Sequence, residues 1–542
     1  MAQISEGGIP KSFSEEAVDE SLVTEYIFDK PDIEVLIEED IERDEHGDNL
    51  RDAVAVPIEL GLENSGTWFD LDNGDRIWRL KVRIPEALSL EAYYDEFYLP
   101  NGSELFIYNS DGSQFFGAFT HRNNKPSGRM STELILGDII NFEYYEPQDQ
   151  IGLGSISIKD LAYRYRDVIG YNSPDINGSQ PCEVDVSCSE GDNWVDQSKS
   201  VLRIRSRING QFFWSSGTLM NNTAEDCKPL VLTALRCAID GNDMSNEFEM
   251  DQYRFYFGYV SETCGSEAFG QFNTMTGCAK LGDSNDDAGT FGSDYLVVEL
   301  SSSIPLSYDA YYSGWDASGT AQFGGGVGIH HPSGDVKKIS TYSAQPTSAP
   351  WGIPNTHWSI TWEATINGYG VMENGSAGCP LYNSDGLVIG TLSGGISACN
   401  EVEPGGVNQP DLFGKMSYHW SENPNPSSEK LREILDPMGL NTLVFNGADN
   451  PCEASSISEQ EQHQFLVSPN PANDRISILL DKDYSQLTIH IIDITGSQVM
   501  SLSERYNRTI NVNVSDLMSG IYVIFIRTDK EEYSPQRLVI KN

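Results

Sequence analysis

The sequence predicts a mostly β protein built from several domains. Aromatic-rich runs alternate with clusters of Gly, Asn and Asp, which is typical of strands joined by tight turns. At 542 residues the chain is too long for a single hydrophobic core. With a usual domain size of roughly 100–200 residues, we expect about three or four domains.

Composition limits the compartment and the partners. The formal net charge of -46 opposes binding to nucleic acid or to an anionic membrane. The chain has no apolar run of about 18 residues, so we expect no membrane span. Nine cysteines favour an oxidising compartment. The first residues lack the basic and apolar regions of a signal peptide, so we expect that an export signal was removed and Met1 added.

The first 170 residues divide into two predicted parts. Residues 1–48 carry 16 Asp or Glu against three Lys or Arg, a composition typical of an acidic leader or linker. Residues 49–170 contain an alternating strand at 77–84, a hairpin at 105–119 and a strand pair at 134–145. We interpret them as an antiparallel β-sandwich. Four side chains near its start are either calcium ligands or part of an Asn-Gly turn: Asp70, Asp72, Asn73 and Asp75.

A second hairpin follows at residues 201–214. Its first strand alternates Arg203, Arg205 and Arg207 with mostly apolar residues and turns at Asn209-Gly210. The alternation predicts one buried face and one wet, arginine-bearing face.

Six segments, in order, carry a resemblance to a known family: 216–224, 231–237, 292–300, 328–340, 375–380 and 393–395. Together they are similar to the bacterial lysyl endopeptidases, which are trypsin-like serine proteases. The resemblance covers about residues 180–445. It implies a trypsin-like double β-barrel at 171–445 that ends in a helix at 427–435, where Pro437 stops the helix. The sandwich at 49–170 resembles the pro-region of the same enzymes.

The resemblance places a catalytic triad on Ala377, Arg236 and Asp294, so only the carboxylate of the triad is present. Residues 375–380 read GSAGCP where the family has Gly-x-Ser-Gly-x-Pro. Alanine offers no nucleophile, and arginine cannot act as a general base because it stays protonated. The backbone amides of Gly375 and Ala377 are the implied oxyanion hole.

Other groups could in principle replace the lost ones. Ser376 would require a one-residue register shift, and Cys379, two residues past Ala377, is interpreted as structural. The eight histidines fall outside the expected motif: His46, His121, His330, His331, His357, His419, His463 and His490.

Asp411 falls where the resemblance places the carboxylate that recognises a substrate lysine. Lysine binding could therefore survive the loss of catalysis, and the alternative is a solvated Asp in a turn. Residues 283–287 are a further calcium candidate, with a solvated loop as the alternative. We expect no cofactor, with calcium as the only ion considered.

The resemblance also implies two disulfides, Cys182 with Cys399 and Cys188 with Cys264. Cys237 lacks its usual partner, because the position near Ser215 is not a cysteine. A Cys227–Cys237 bond is doubtful, since ten extended residues span about 33 Å. The cysteines without an assigned partner are Cys227, Cys237, Cys278, Cys379 and Cys452.

Residues 446–463 have the composition of a linker, and 464–542 resemble the type A sorting domain of type IX secretion cargo. The resemblance rests on segments 469–472, 493–496, 517–523 and 537–541. It implies an Ig-like β-sandwich and export across a Gram-negative outer membrane by the type IX machinery. The protein would then be secreted or held at the cell surface.

The leading hypothesis is a secreted, catalytically inactive relative of lysyl endopeptidase that acts as a binding, surface or structural component. Its expected partners are a protein or peptide ligand, including one that contains lysine, and further copies of itself. One alternative is an active lysine-specific endopeptidase with a non-standard triad. The other is an adhesin or filament subunit.

Overall fold

The computed structural model of the protein describes residues 6–13, 18–46, 48–167, 178–266, 270–320, 324–399, 406–452, 465–480, 487–493, 498–504, 509–528 and 536–541. The chain divides into two compact units, Met1–Ser455 and Ser456–Asn542. The predicted junction at residue 170 and most of the predicted linker at 446–463 lie outside the described residues.

The prediction of a mostly β protein is confirmed. In the first unit the strands are β1 (Glu25–Ile27), β2 (Arg51–Gly61), β3 (Thr67–Asp70), β4 (Arg76–Arg83), β5 (Ser89–Tyr98), β6 (Glu104–Tyr108), β7 (Phe115–Phe119), β8 (Met130–Ser131), β9 (Ile135–Leu136), β10 (Ile139–Glu146), β11 (Ser155–Arg164), β12 (Val201–Ile208), β13 (Gln211–Met220), β14 (Leu230–Thr233), β15 (Ile239–Asp240), β16 (Asp243–Met244), β17 (Arg254–Phe257), β18 (Asn273–Thr276), β19 (Cys278–Asp283), β20 (Leu296–Leu300), β21 (Tyr311–Tyr312), β22 (Trp315–Asp316), β23 (Gly326–His330), β24 (Lys338–Tyr342), β25 (Thr347–Trp351), β26 (Ile353–Ile360), β27 (Pro380–Asn383), β28 (Val388–Gly395), β29 (Asp411–Lys415), β30 (Val444–Phe445) and β31 (Ala448–Asp449).

Helices are short and few among the described residues. The α-helices are α1 (Ile33–His46), α2 (Val195–Ser200), α3 (Glu247–Met250), α4 (Met416–Ser421) and α5 (Leu431–Leu435). None of the described helices combines the length and apolar character needed to cross a bilayer. The 3-10 helices are Lys11–Phe13, Glu20–Leu22, His121–Asn123, Gln148–Gln150, Ser189–Gly191, Leu235–Ala238, Leu306–Tyr308, Pro332–Gly334 and Ser427–Glu429.

The N-terminal part of the first unit packs a six-stranded sheet over strands of a larger sheet. Strand β4 pairs with β10, and Trp78, Leu80 and Val82 are fully buried between the layers. The predicted hairpin at 105–119 is confirmed as β6 and β7. The predicted strand pair at 134–145 is wrong, because β9 joins β5 whereas β10 joins β4 and β6.

The acidic segment 1–48 contains ordered elements that its composition does not predict. Strand β1 pairs in parallel with β4, and helix α1 precedes β2. Arg51 of β2 donates to Asp40 of the helix at 2.8 Å and to Glu39 at 2.9 Å. These ion pairs hold the end of the segment against the strand that follows it.

Strand β2 joins the strands of the N-terminal part to the strands from β12 onward. It pairs with β11 on one side and, through Gln211–Val54 and Phe212–Ala53, with β13 on the other. The result is one 12-stranded sheet that runs through β18, β17, β12, β13, β2, β11, β5 and β8. A single sheet therefore connects segments that the sequence predicts to be two domains.

The prediction of a wet, arginine-bearing face on the 201–214 hairpin is wrong. Arg203 and Arg205 of β12 are 2% and 1% exposed. Arg203 lies over the rings of Trp214 and Tyr259, and Arg205 pairs with acidic residues of the N-terminal strands. The alternation correctly identified a strand, but the polar face is buried beneath the neighbouring part of the unit.

Residues from 195 to 449 form two halves, each with its own core. Strands β12–β14 and β17–β20 surround one apolar cluster, and a nine-stranded sheet built around β27, β28 and β29 surrounds the other. The predicted terminal helix is present as a 3-10 turn followed by α5, whose Leu431 and Leu435 are fully buried.

Three disulfides lie in the first unit. The predicted Cys182–Cys399 and Cys188–Cys264 bonds are confirmed. The third joins Cys227 to Cys452, a pair that the sequence left unassigned. The remaining cysteines are free and buried: Cys237, Cys278 and Cys379.

The second unit contains a three-stranded and a four-stranded sheet. Alternate residues of their strands, among them Ile489, Ile524 and Leu538, share one apolar cluster. Its strands are β32 (Leu466–Ser468), β33 (Arg475–Leu479), β34 (Leu487–Asp493), β35 (Gln498–Glu504), β36 (Thr509–Asn513), β37 (Gly520–Thr528) and β38 (Gln536–Ile540).

Candidate functional site

Arg236 and Asp294 form an ion pair between two segments of the first half. Arg236 lies in the turn Leu235–Ala238 that follows β14, and Asp294 precedes β20. The guanidinium Nε donates to Asp294 Oδ2 at 2.9 Å, and the backbone N–H of Arg236 donates to Oδ1 at 3.0 Å. Nη2 donates to the carbonyl of Ala288 at 3.2 Å. The guanidinium therefore contacts one carboxylate oxygen of Asp294, and the backbone of Arg236 contacts the other.

The neighbouring acidic loop fixes the backbone of Asp294. Asp294 is fully buried and has a φ of 59°. Its N–H donates to Asp286 Oδ2 at 2.8 Å, and Oδ1 of Asp286 accepts from the Gly289 amide at 3.1 Å. The solvated-loop interpretation of 283–287 is therefore wrong for Asp286, which is 1% exposed.

Loop 375–378 contacts the turn that carries Arg236, because the Ala377 carbonyl lies 3.4 Å from Cys237 Sγ. Ser216 holds it by donating from its Oγ to the Gly375 carbonyl at 3.0 Å and from its N–H to the Ala377 carbonyl at 2.9 Å. Gly375 has a φ of 93°, and a Cβ there would lie 2.8 Å from the Ser333 nitrogen, so only glycine fits. Among the described residues, neither the Gly375 nor the Ala377 amide has a hydrogen-bond acceptor.

Trp351 and His357 complete the surroundings of Arg236. The guanidinium lies 5.0 Å from the Trp351 ring, which stacks on the His357 ring at 5.6 Å. His357 Nε2 lies 2.9 Å from Ser393 Oγ. Burial, with added repulsion from Arg236, lowers the pKa of His357 to about 3. Its low pKa makes His357 a neutral, buried group held by Ser393.

A serine and a histidine that the sequence had not paired are in contact behind the loop. Ser376 Oγ lies 2.7 Å from His330 Nδ1, and His330 Nε2 lies 3.6 Å from Glu183 Oε2. Burial, together with Lys338, lowers the pKa of His330 to about 3. All three side chains are almost completely inaccessible to solvent, so a substrate has no path to the serine in this arrangement.

Two free thiols lie near the loop. Cys237 Sγ is 3.4 Å from the Ala377 carbonyl, and burial raises the pKa of its thiol to about 11. Cys379 is fully buried, and burial also raises its pKa well above the usual range. Because the thiolate is the reactive form of cysteine, neither residue is set up as a nucleophile.

Asp411 lies at the start of β29 and is fully buried, so the solvated-turn alternative is wrong. Its Oδ2 accepts from Trp362 Nε1 and from Ser397 Oγ, both at 2.6 Å. A Cβ at Gly395 would lie 1.9 Å from Oδ1, so glycine is required there. Burial outweighs these hydrogen bonds and raises the pKa of Asp411 to about 7. Contact with a lysine would require Trp362 and Ser397 to move away from the carboxylate.

Asp411 should make the stability of the first unit depend on pH. The unfolded carboxyl titrates near 3.9, whereas the folded one keeps its proton up to about pH 7. The folded state therefore binds more protons between these values, and stability should fall as pH rises from about 4 to about 7. We expect Asp411→Asn to reduce this fall, measured by urea unfolding at pH 5 and pH 8.

The matched control is Asp449→Asn, at an exposed position of the same unit. It should leave the pH dependence of the wild type unchanged. The same pH dependence in Asp411→Asn and in the wild type would contradict the assignment to Asp411.

Within the described ranges, no group of three or more His, Cys, Asp or Glu side chains is arranged to hold a metal ion. Near the start of the sandwich, Asp75 Oδ1 accepts from the Gln148 amide at 2.8 Å and Oδ2 accepts from the Asn73 amide side chain at 2.6 Å. These contacts fit the turn interpretation of that segment.

Two segments of this chain match known protein families. Residues 176–414 match the family described as lysyl endopeptidase, C-terminal domain, and residues 466–541 match the secretion system C-terminal sorting domain. The lysyl endopeptidase of Pseudomonas aeruginosa is 25% identical over 354 residues, which cover 61% of this chain and 71% of the relative. The chain therefore carries a lysyl endopeptidase-like domain and a type IX sorting tail, and the tail indicates secretion or attachment to the cell surface through the type IX system.

Proposed function

We propose that this protein is a secreted lysyl endopeptidase-like protein that does not cleave peptides and acts by binding them. The observation that carries the proposal is the Arg236–Asp294 ion pair, whose arginine precedes Cys237, a residue in contact with the Ala377 carbonyl at 3.4 Å. Asp294 is engaged by a cation that cannot accept a proton, and the side chain of residue 377 is a methyl group.

Serine-protease chemistry requires a nucleophile, a base to take its proton and a carboxylate to orient the base. Of these groups only Asp294 remains. The amides of Gly375 and Ala377 can still stabilise an oxyanion, but in a comparable protease with its triad removed the residual acceleration over water is only about 10³–10⁴. Such a rate is far below useful turnover, which favours a role in binding.

A second candidate is an active enzyme that uses Ser376. The 2.7 Å contact between Ser376 Oγ and His330 Nδ1 is the observation in its favour. Its weakness is burial, because both side chains are 0% exposed. Catalysis through Ser376 would require opening of the loop that Ser216 holds from the other side.

Both candidates can be tested on the full-length secreted protein. We expect no cleavage of lysine-containing fluorogenic peptides and no labelling by a fluorophosphonate probe, alongside an active serine protease as positive control. Intact mass should show the N-terminal sandwich still attached, unless another protease removes it. The sequence has no Lys or Arg between Asp167 and Gln197 for a lysine- or arginine-directed protease to cut.

The variant Ser376→Ala separates the two outcomes. Cleavage or labelling that disappears in this variant would establish Ser376 as the nucleophile and refute the proposal. A major species that begins near Pro181, formed with no other protease present, would show that the protein cuts itself and would refute it as well.

A further inference from the structure

We infer that the altered cleft binds the free carboxylate of a peptide C terminus, held by Arg236 and by the amides of Gly375 and Ala377. The inference rests on the proposed function, since it requires a cleft that retains a peptide end rather than turning over a peptide bond. It adds to that function the chemical group that is recognised.

Two donors of the site are the backbone N–H groups of Gly375 and Ala377. Neither has an acceptor within the described part of the chain. Their loop is fixed because Ser216 bonds both carbonyls, so the two N–H groups need no reorganisation to receive a ligand oxygen. A pair of fixed amides is an established way to bind a negatively charged oxygen.

The third donor is Nη1 of Arg236. Nε and Nη2 of this guanidinium are used by Asp294 and by the Ala288 carbonyl, whereas Nη1 has no hydrogen-bond partner among the described residues. The Trp351 ring supports the guanidinium at 5.0 Å. The side chain is 22% exposed, so part of it is in contact with solvent.

Short contacts connect the surroundings of Nη1 to the loop that carries the two amides. A Cβ added to Gly394 would lie 3.5 Å from Nη1. Two residues earlier, the Leu392 carbonyl accepts from the Gly378 amide at 2.9 Å, which places this part of β28 against the loop. On the other side, Cys237 Sγ contacts the Ala377 carbonyl at 3.4 Å. Residues 236, 377 and 394 are therefore near neighbours, and the space between them is the inferred binding cleft.

The charges at this cleft favour an anion over a neutral carbonyl. The Asp294 carboxylate is 0% exposed and lies behind the guanidinium. The methyl group of Ala377 supplies no acceptor that would compete for the donors. Three N–H donors match the two oxygens of a carboxylate, whereas a C-terminal amide would bring its own NH₂ group against one of them.

A peptide end fits better than a free small anion. Ile396, one residue beyond β28, is 50% exposed, and a Cβ added to Gly394 would lie 3.2 Å from the Trp351 ring. These apolar surfaces can contact the residues that precede the carboxylate. Acetate shares the carboxylate chemistry but lacks such residues, so it should bind more weakly.

The test is titration of the full-length protein with acetylated tripeptides ending in Lys, Ala or Phe, each as the free acid and as the amide. We expect the free acids to bind about 10- to 100-fold more tightly than the amides, from the usual strength of a hydrogen bond to a charged group. The free acids should also shift the ¹⁵N–¹H resonances of Gly375 and Ala377. Acetate should compete only weakly.

Arg236→Lys keeps a cation beside Asp294 but removes Nη1, and it should lose most of the preference for the free acid. Arg432→Lys, on an exposed arginine of the same unit, should keep that preference. Equal affinity for acid and amide, or unmoved Gly375 and Ala377 resonances, would overturn the inference. Acetate binding as tightly as the peptides would assign the site to small anions and overturn it too.

These peptides measure binding without turnover, so the two proposals fail separately. Hydrolysis of longer peptides would refute the proposed function. The absence of both hydrolysis and acid selectivity would refute only the carboxylate site.

Discussion

Replacing Glu91 with alanine is expected to lower the free energy of unfolding of the first unit by about 3–5 kcal/mol. Glu91 of β5 is fully buried, and its carboxylate pairs with Arg205 of β12 at 3.0 Å and with Arg254 of β17. Burial alone would raise the pKa of Glu91, but the two arginines outweigh it and the pKa is lowered. Without Glu91, Arg254 would keep only neutral or more distant partners, and Arg205 would depend on Asp52.

The effect can be measured by denaturant unfolding with two companion variants. Glu91→Gln keeps an acceptor oxygen for one arginine and should destabilise less than alanine. Glu96→Ala changes an exposed glutamate of the same strand and should alter stability by no more than about 0.5 kcal/mol. Equal unfolding midpoints for Glu91→Ala and Glu96→Ala would show that the buried ion pairs do not hold the two parts together.

The ion pairs of Glu91 with Arg205 and Arg254 explain how the N-terminal strands pack against the strands that follow β12. Strands β17 and β5 are five places apart in the 12-stranded sheet, a separation of about 24 Å if the sheet were flat. Arg254 and Glu91 are nevertheless in direct contact, so the sheet must curl until its distant strands face each other. The buried charges thus lie inside the curled sheet, to which the N-terminal part and the part that follows it both contribute strands.

Local sequence patterns predicted where the strands lie better than they predicted which residues cover each strand. Alternation correctly identified β12, but not that Arg203 and Arg205 would be buried, since period two marks two faces without stating what covers each one. The covering acids Asp52 and Glu91 lie more than 100 residues earlier in the chain. No local pattern could have linked these acids to Arg205, or the rings of Trp214 and Tyr259 to Arg203.

In the candidate site, too, the sequence identified some residues and missed contacts that only the fold brings together. Motif order assigned Arg236 and Asp294 to one site, and the two residues form an ion pair. The contact between Ser376 and His330 and the Cys227–Cys452 bond were missed, because neither pair belongs to the motifs and disulfides that the family resemblance implies. Burial of Asp411 was missed for a related reason, since Trp362 and Ser397 cover it from other strands and loops.

The double variant Ala377→Ser with Arg236→His is expected to gain a trace of lysine-specific hydrolysis, whereas Ala377→Ser alone should gain none. A serine at 377 would remain protonated beside Arg236, because the guanidinium cannot accept its proton. Histidine at 236 would meet Asp294 in its buried position and could act as the base. Triad members act as a unit, so under the proposed function the introduction of one group without the other should produce almost no activity.

Hydrolysis of a lysine fluorogenic peptide and labelling by a fluorophosphonate probe are the two measurements. The matched control is Arg236→His alone, which supplies the imidazole without a nucleophile and should be inactive in both assays. The gain in the double variant should remain small, because Asp411 is buried beneath Trp362 and Ser397 and cannot receive a substrate lysine without rearrangement. Robust cleavage by Ala377→Ser alone would mean that a base other than residue 236 is within reach, and it would contradict the role assigned here to Arg236 in disabling the site.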